Sequence, residues 1–234
     1  MVRPLCLLFD CDGTLVDSEP LLAEEMERSL TEAGLTFRAS DYIGEFRGAR
    51  FRHIVATLEA RYGRVDAERL KMLEQRMRAN LDRRLASDLK TIEGAVEALA
   101  ALAGHPMGVV SNGPLRKVRT SLAATALESA FGDNLFSAYE IGCWKPDPGL
   151  YQHAARMMGY HPGDCVAVDD ALVGVRAALD AGTAVVHLNR FPDVEPTPDG
   201  AVMITSMFQL PTVIAHLAGT RRLQPPPWEQ KRAL

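Results

Sequence analysis

The chain has 234 residues, 47% of them hydrophobic, enough for one large buried core or two small ones. Its formal charge of -4 gives no general attraction for nucleic acid or an anionic membrane, so neither is expected as a partner and any phosphate binding must be local. No stretch approaches the roughly 18 consecutive apolar residues of a membrane span, and Met1–Pro4 lead into only a short apolar run, so a soluble cytoplasmic protein is expected. Cys6, Cys11, Cys143 and Cys165 are scattered, with no C-x-x-C pair to hold zinc, and read as reduced and mostly buried thiols.

Taken in order, the chain opens with an apolar run, Leu5 to Phe9, that reads as a strand buried on both faces and stops at Asp10. The turn Asp10-Cys11-Asp12-Gly13 follows, and Gly13 permits a sharp departure of the backbone. Asp17 to about Lys90 then shows only helical periodicities. Leu22, Met26, Leu30 and Ala33 stop at Gly34; Phe51, Ile54, Val55 and Leu58 end near Gly63; Leu70, Leu73, Met77, Leu81 and Leu85 follow Asp66. This is the pattern of a helical insertion.

From Thr91 short apolar runs alternate with helices, the habit of βαβ units on a parallel sheet. Met107 to Val110 leads into Ser111-Asn112-Gly113-Pro114. Cys165 to Val168 leads into Asp169 and Asp170, then a helix from about Ala171 to Ala181 and a strand from Ala184 to Leu188. Between these runs, Asp147 is the expected N-cap and Pro148 the first residue of a helix reaching Gly159, which puts Lys145 on a short stiff loop. The residues after Arg222, with Pro225-Pro226-Pro227 and several charges, have a composition expected to stay disordered.

On one parallel sheet, Asp10 and Asp12, Ser111, and Asp169 with Asp170 all fall at the carboxyl edge, where open α/β sheets bind ligands. A calcium loop is excluded because its later acidic, glycine and glutamate positions fall on Thr14, Leu15 and Leu21. Val109 likewise breaks the G-x-S-x-G pattern of a nucleophilic serine at Ser111. Carboxylates, a hydroxyl and an ammonium fit phosphoryl transfer with a hard metal. A carboxylate attacking a phosphate meets repulsion of roughly 4 kcal/mol between unit charges about 4 Å apart at an effective dielectric near 20, so positive charge must intervene. Mg2+ held by Asp10, Asp12, Asp169 and Asp170 and the ammonium of Lys145 are the expected sources. Ser111 and the backbone around Asn112 and Gly113 are expected to hold phosphoryl oxygens. Asp10, ionised at an ordinary carboxylate pKa, is the expected nucleophile and Asp12 the general acid and base.

These residues resemble the four motifs of the haloacid dehalogenase-like hydrolase superfamily: Asp10-x-Asp12-Gly13-Thr14, Ser111, Lys145 and the Asp169-Asp170 pair, in that order and across most of the chain. The resemblance implies a Rossmann-like doubly wound parallel sheet core, residues 1–16 and 91–222, with an inserted α-helical cap, residues 17–90, and a tail at 223–234. It implies a magnesium-dependent phosphatase working through an aspartyl-phosphate. Val109 to Pro114 and Trp144 to Pro148 are similar to those of small sugar-phosphate phosphatases, which points to a sugar phosphate or sugar-acid phosphate, 6-phosphogluconate among them. Arg47 and Arg50, in a glycine-containing entry to a cap helix, are candidates to reach an acidic substrate group. The expected assembly is a monomer or small homo-oligomer.

Two alternatives stay open at this point. A β-phosphoglucomutase-like phosphomutase shares the architecture, although the place of its cap histidine, near Leu22, is apolar here. A phosphoacceptor receiver domain uses similar residues in a different chain order, with its acidic pair first and its acceptor aspartate later.

Overall fold

The computed structural model describes residues 4–46, 49 and 51–223, and the side chains up to residue 220. Six parallel strands form one sheet: β1 (Cys6–Phe9), β2 (Met107–Ser111), β3 (Leu135–Ser137), β4 (Cys165–Asp169), β5 (Ala184–Leu188) and β6 (Ala201–Ile204). Their order, β3-β2-β1-β4-β5-β6, is that of a Rossmann-like doubly wound sheet, whose direction of winding switches between β1 and β4. The chemistry-bearing turns lie at that switch. Phe9 pairs with Val168 and Val109, and Asp169 with His187, so the residues that follow β1, β2 and β4 emerge side by side.

The helices are α1 (Glu19–Glu32), α2 (Phe51–Tyr62), α3 (Ala67–Ser87), α4 (Ala95–Ala101), α5 (Leu115–Ala124), α6 (Glu128–Phe131), α7 (Ala138–Ile141), α8 (Gly149–Met157), α9 (Leu172–Asp180) and α10 (Leu210–Leu223). The chain divides into two compact units. Of the described residues, the first comprises 4–15, 92–115 and 129–223; the second comprises 16–46, 49, 51–91 and 116–128.

In the first unit, α8 and α9 cover one face of the sheet. Leu150, Tyr151, Ala154 and Ala155 of α8 and Val175, Ala177 and Ala178 of α9 pack with Cys6, Leu8, Val110, Cys165, Ala167 and Val185. The small residues let helix backbone approach the strands closely, which matters for the site. On the opposite face, Phe9 meets Phe131 edge to face, with ring centroids 5.9 Å apart.

The second unit has its own apolar core, built by Met26 and Leu30 of α1, Ile54 and Leu58 of α2, and Met77 of α3, with Leu35, Phe37 and Phe46. Asp66 caps α3 by accepting from the Arg69 N–H at 2.8 Å. Arg84 joins Glu24 at 2.6 Å and the buried Glu25 at 3.2 Å, tying α3 to α1. Among the described residues of this unit the only β-pairing is an isolated bridge between Val16 and Thr91.

The structure departs from the sequence reading in three places. Helix α8 starts at Gly149 with Pro148 as its N-cap, not at Pro148 with Asp147 as cap. Pro148 already has near-helical angles but, lacking an N–H, leaves Gly149 as the first donor; the Asp147 carboxylate accepts that N–H at 2.8 Å. Strands β3 and β6 carry no clear strand signal, being three residues long and half exposed, respectively. Finally, the helix expected from about Ala171 to Ala181 runs from Leu172 to Asp180, with Ala171 as its N-cap. Arg47, Arg50 and nearly all of the tail, residues 224–234, lie outside the described residues. Among the described residues no helix is long and apolar enough to cross a membrane.

Candidate active site

Asp10 is the first residue past β1, and its N–H still donates to the Val168 carbonyl of β4 at 2.8 Å, so the end of the strand is pinned where the side chain begins. The chain then turns through Cys11 and the partly exposed Asp12 to Gly13, whose φ of +89° suits glycine. A second reason requires glycine there: a Cβ would come within 2.3 Å of Asp170 Oδ2. The Thr14 hydroxyl donates to Asp170 Oδ1 at 2.8 Å. The opening turn thus grips the acidic turn after β4 through one hydroxyl and one missing side chain.

Asp169 closes β4 and is buried, as is Asp170. The Asp169 carboxylate accepts from Lys145 Nζ at 2.7 Å, from the Tyr151 hydroxyl at 2.7 Å and from the Ala171 N–H at 3.0 Å. Gly174, in the first turn of α9, lies so close that a Cβ would fall 1.9 Å from Asp169 Oδ2. Lys145 Nζ also donates to Asp10 Oδ1 at 2.6 Å and sits 5.0 Å from the centre of the Tyr151 ring. The Asn112 side chain holds the Lys145 backbone from both sides: Oδ1 accepts the Lys145 N–H at 2.8 Å and Nδ2 donates to its carbonyl at 3.2 Å. The stiffness expected of the Lys145 loop therefore comes from a residue after β2.

Asp10, Asp169 and Asp170 each offer a carboxylate oxygen within 4.8 Å of the other two. Asp12, counted from sequence among the metal ligands, is not a member of this carboxylate group. Asp10 and Asp169 share the Lys145 ammonium, and an all-oxygen donor set of three neighbouring carboxylates suits a hard divalent cation. The residues present thus fit the metal that the family resemblance implies. Asp10, Asp169 and Asp170 are the ones that would hold it.

The electrostatics differ from the simple expectation of an ordinary carboxylate. Among protein groups alone, burial pushes the Asp10 carboxyl up to about 7; Lys145 pulls it down, and Asp169 and Asp12 raise it further. Burial alone would lower the Lys145 ammonium, but Asp10 and Asp169 more than offset that and hold it well above its usual range. The Tyr151 phenol is likewise raised, by burial and by Asp169. Lysine and tyrosine both stay protonated as donors.

The structure brings Asp10, Lys145, Asp169 and Asp170 into direct contact or close approach and places Asn112 behind Lys145. Ser111 ends β2 on the same edge, and its Oγ accepts the Gly113 N–H at 2.9 Å, so in this arrangement that amide is engaged within its own turn. Three residues of the site were not singled out from the sequence: Tyr151, Gly174 and the buried His187 of β5, whose Nε2 lies 3.2 Å from the Asp170 carbonyl. Tyr151 falls in an apolar helix stripe and His187 in an apolar strand, where nothing separates them from core. Gly174, isolated inside a helical pattern, was the one available signal.

Comparison with known proteins agrees with this geometry. The family model for haloacid dehalogenase-like hydrolases matches residues 5–182. The chain is 36% identical over 212 residues to 6-phosphogluconate phosphatase of Escherichia coli K12, covering 90% of this chain and 95% of that protein. It is 26% identical over 211 residues to hexitol phosphatase A of the same organism, covering 87% and 91%. Among solved structures, a conserved haloacid dehalogenase-like protein of Agrobacterium tumefaciens superposes with a TM-score of 0.79 at 31% identity, covering 92% of this chain and 99% of that one. A HAD family hydrolase of Deinococcus radiodurans, solved with bound phosphate and sodium, does so with a TM-score of 0.75 at 30% identity, covering 92% and 97%. With its fold and three quarters of its length matched, the chain belongs to the haloacid dehalogenase-like hydrolase family.

Proposed function

We propose that this phosphoric monoester hydrolase cleaves a small phosphorylated sugar or sugar acid, with 6-phosphogluconate as the first candidate, through an aspartyl-phosphate on Asp10 and with Mg2+ as cofactor. The observation that carries the mechanism is the placement of Asp10 at the switch point, its Oδ1 2.6 Å from the Lys145 ammonium and within reach of Asp169 and Asp170. The substrate class is supported by the relatives, of which the one at 36% identity is a 6-phosphogluconate phosphatase.

In this reading an Asp10 carboxylate oxygen attacks phosphorus, the ester P–O bond breaks, and the alkoxide leaves with a proton from Asp12. Asp12 then takes a proton from water, which attacks the acyl phosphate, frees inorganic phosphate and restores Asp10. Asp12 sits two residues further along the same turn, partly exposed. Lys145 keeps Asp10 oriented and offsets negative charge; Asn112 fixes the lysine; Ser111 presents its hydroxyl at the same edge. Bound at Asp10, Asp169 and Asp170, Mg2+ would supply Lewis-acid charge that lowers the repulsion between carboxylate and phosphate. The helical second unit, with a core of its own, is the candidate for substrate selection.

The test combines a variant with a screen. Asp10→Asn should lower turnover by at least about 1000-fold, as loss of a covalent nucleophile does, while leaving the circular dichroism spectrum unchanged. Normal phosphate release by that variant would overturn the mechanism. Phosphate release from a panel of phosphorylated sugars and sugar acids, with Mg2+ and with a chelator, identifies the substrate. Conversion of β-glucose 1-phosphate to glucose 6-phosphate without net phosphate release would favour the phosphomutase alternative instead.

A further inference from the structure

His187 is the one fully buried histidine of the described residues, at 0% exposure, in a strand whose other members are Ala184, Val185, Val186 and Leu188. An apolar side chain would continue that strand without the cost of desolvating an imidazole. Both ring nitrogens are instead within hydrogen-bond distance of partners on distant segments. Nε2 is 3.2 Å from the carbonyl of Asp170, and Nδ1 is 2.8 Å from the Thr197 hydroxyl. A carbonyl only accepts, so Nε2 carries the proton; in the neutral ring Nδ1 then accepts from Thr197. Thr197 belongs to the loop between β5 and β6, which is folded around Asn189: Nδ2 of Asn189 donates to the Glu195 carbonyl at 2.7 Å and Oδ1 accepts the Phe191 N–H at 3.0 Å.

We infer that His187 is a positioning residue for the metal-binding carboxylates: it holds the Asp170 peptide from β5, and Thr197 fixes the tautomer in which it can do so. The Asp170 side chain is held from the other direction, by Thr14 and by the missing Cβ of Gly13. Asp170 is thus gripped at its carboxylate by the turn after β1 and at its backbone by β5. Rotation of that peptide would swing the carboxylate away from Asp10 and Asp169. The ring acts on metal affinity through Asp170 and touches neither substrate nor ion. This inference rests on the proposed metal site.

The experiment measures Mn2+ binding directly, by the electron paramagnetic resonance signal of the free ion, together with thermal unfolding. Gln at position 187 places an N–H donor near the position of Nε2, whereas Asn reaches only that of Nδ1 and Leu offers neither. The dissociation constant for Mn2+ should rise about 3- to 10-fold in His187→Asn and His187→Leu and stay within about twofold of the parent in His187→Gln, the range expected for one hydrogen bond. Thr197→Val, on a partly exposed loop, should raise it about 2- to 3-fold with little change in melting temperature. Equal affinities for the Asn and Gln variants, or an unchanged constant in Thr197→Val, would leave His187 as packing only and overturn the inference. Asp170→Asn, measured alongside, separates the two ideas. Parent-like Mn2+ affinity in that variant sinks the metal site itself and the inference with it, whereas lost affinity there with unchanged His187 and Thr197 variants sinks only the role of His187.

Discussion

In the proposed mechanism Asp10 has to be anionic to attack phosphorus, yet burial among protein groups pushes its carboxyl up to about 7. A cation at Asp10, Asp169 and Asp170 must therefore displace a proton whenever the pH lies below that value. The sign follows directly. Below about 7 the folded protein carries the proton and metal binding releases it; above, the carboxylate is already free. Apparent Mg2+ affinity should fall by up to about tenfold per pH unit below 7 and level off above 8. Calorimetric titrations at pH 6 in two buffers of different ionisation enthalpy should show close to one proton released per ion, and at pH 8.5 almost none. Pure folding stability shifts the opposite way: a carboxyl raised in the native state favours folding at pH below its unfolded value near 3.8, and that contribution is lost as the pH rises toward 7. An affinity that is flat from pH 6 to 8.5 would mean that Lys145 alone keeps Asp10 ionised.

Helix α9 illustrates how an element serves the site through what it lacks. Alanine is preferred over glycine in a helix interior by about 0.5–1 kcal/mol, so a glycine in the first turn of α9 is unfavourable by propensity. Gly174 stands there because its Cα must pass beside Asp169, where a Cβ would overlap the carboxylate at 1.9 Å. Gly174→Ala should fold but push Asp169 off Lys145 and Tyr151, lowering kcat/KM by at least about 10- to 100-fold, in line with a displacement of about 1 Å at a catalytic group. Gly219→Ala, in α10 with no atom within 4 Å of the added carbon, is the control and should be neutral or slightly stabilising. Parent-like activity in Gly174→Ala would show that α9 can yield.

The same elements explain what the sequence discloses. Asp10, Ser111 and the Asp169-Asp170 pair are legible because each interrupts an apolar run at the end of a buried strand, and helices α1, α2 and α3 because their apolar spacing is regular and ends in Gly34, Gly63 or begins at Asp66. Strand β6 is illegible because Val202 and Met203, apolar but exposed, break any alternation of inside and outside. Tyr151 and His187 are hidden for the opposite reason: they do their work from positions that are also fully buried. No periodicity distinguishes a buried donor aimed at a carboxylate from one that merely fills space.

The whole molecule contains two separately cored units, and the three carboxylates that would take a metal all belong to one of them. Ligand linkage acts on whatever must unfold to release the ligand. At a free Mg2+ concentration of about 100 times its dissociation constant, linkage should stabilise that unit by about 2.7 kcal/mol, a change of about 100-fold in its opening equilibrium. Hydrogen–deuterium exchange should then slow by up to about 100-fold at the amides of β1 and β4, which must separate if Asp10 and Asp169 are to part, and by much less at those of α2 and α3. Equal slowing throughout would mean that the units open as a single cooperative body and that the separate cores do not confer separate stabilities. No slowing anywhere would remove the metal from the first unit altogether. The intermediate pattern, protection confined to the sheet, is what a metal held within one separately cored unit requires.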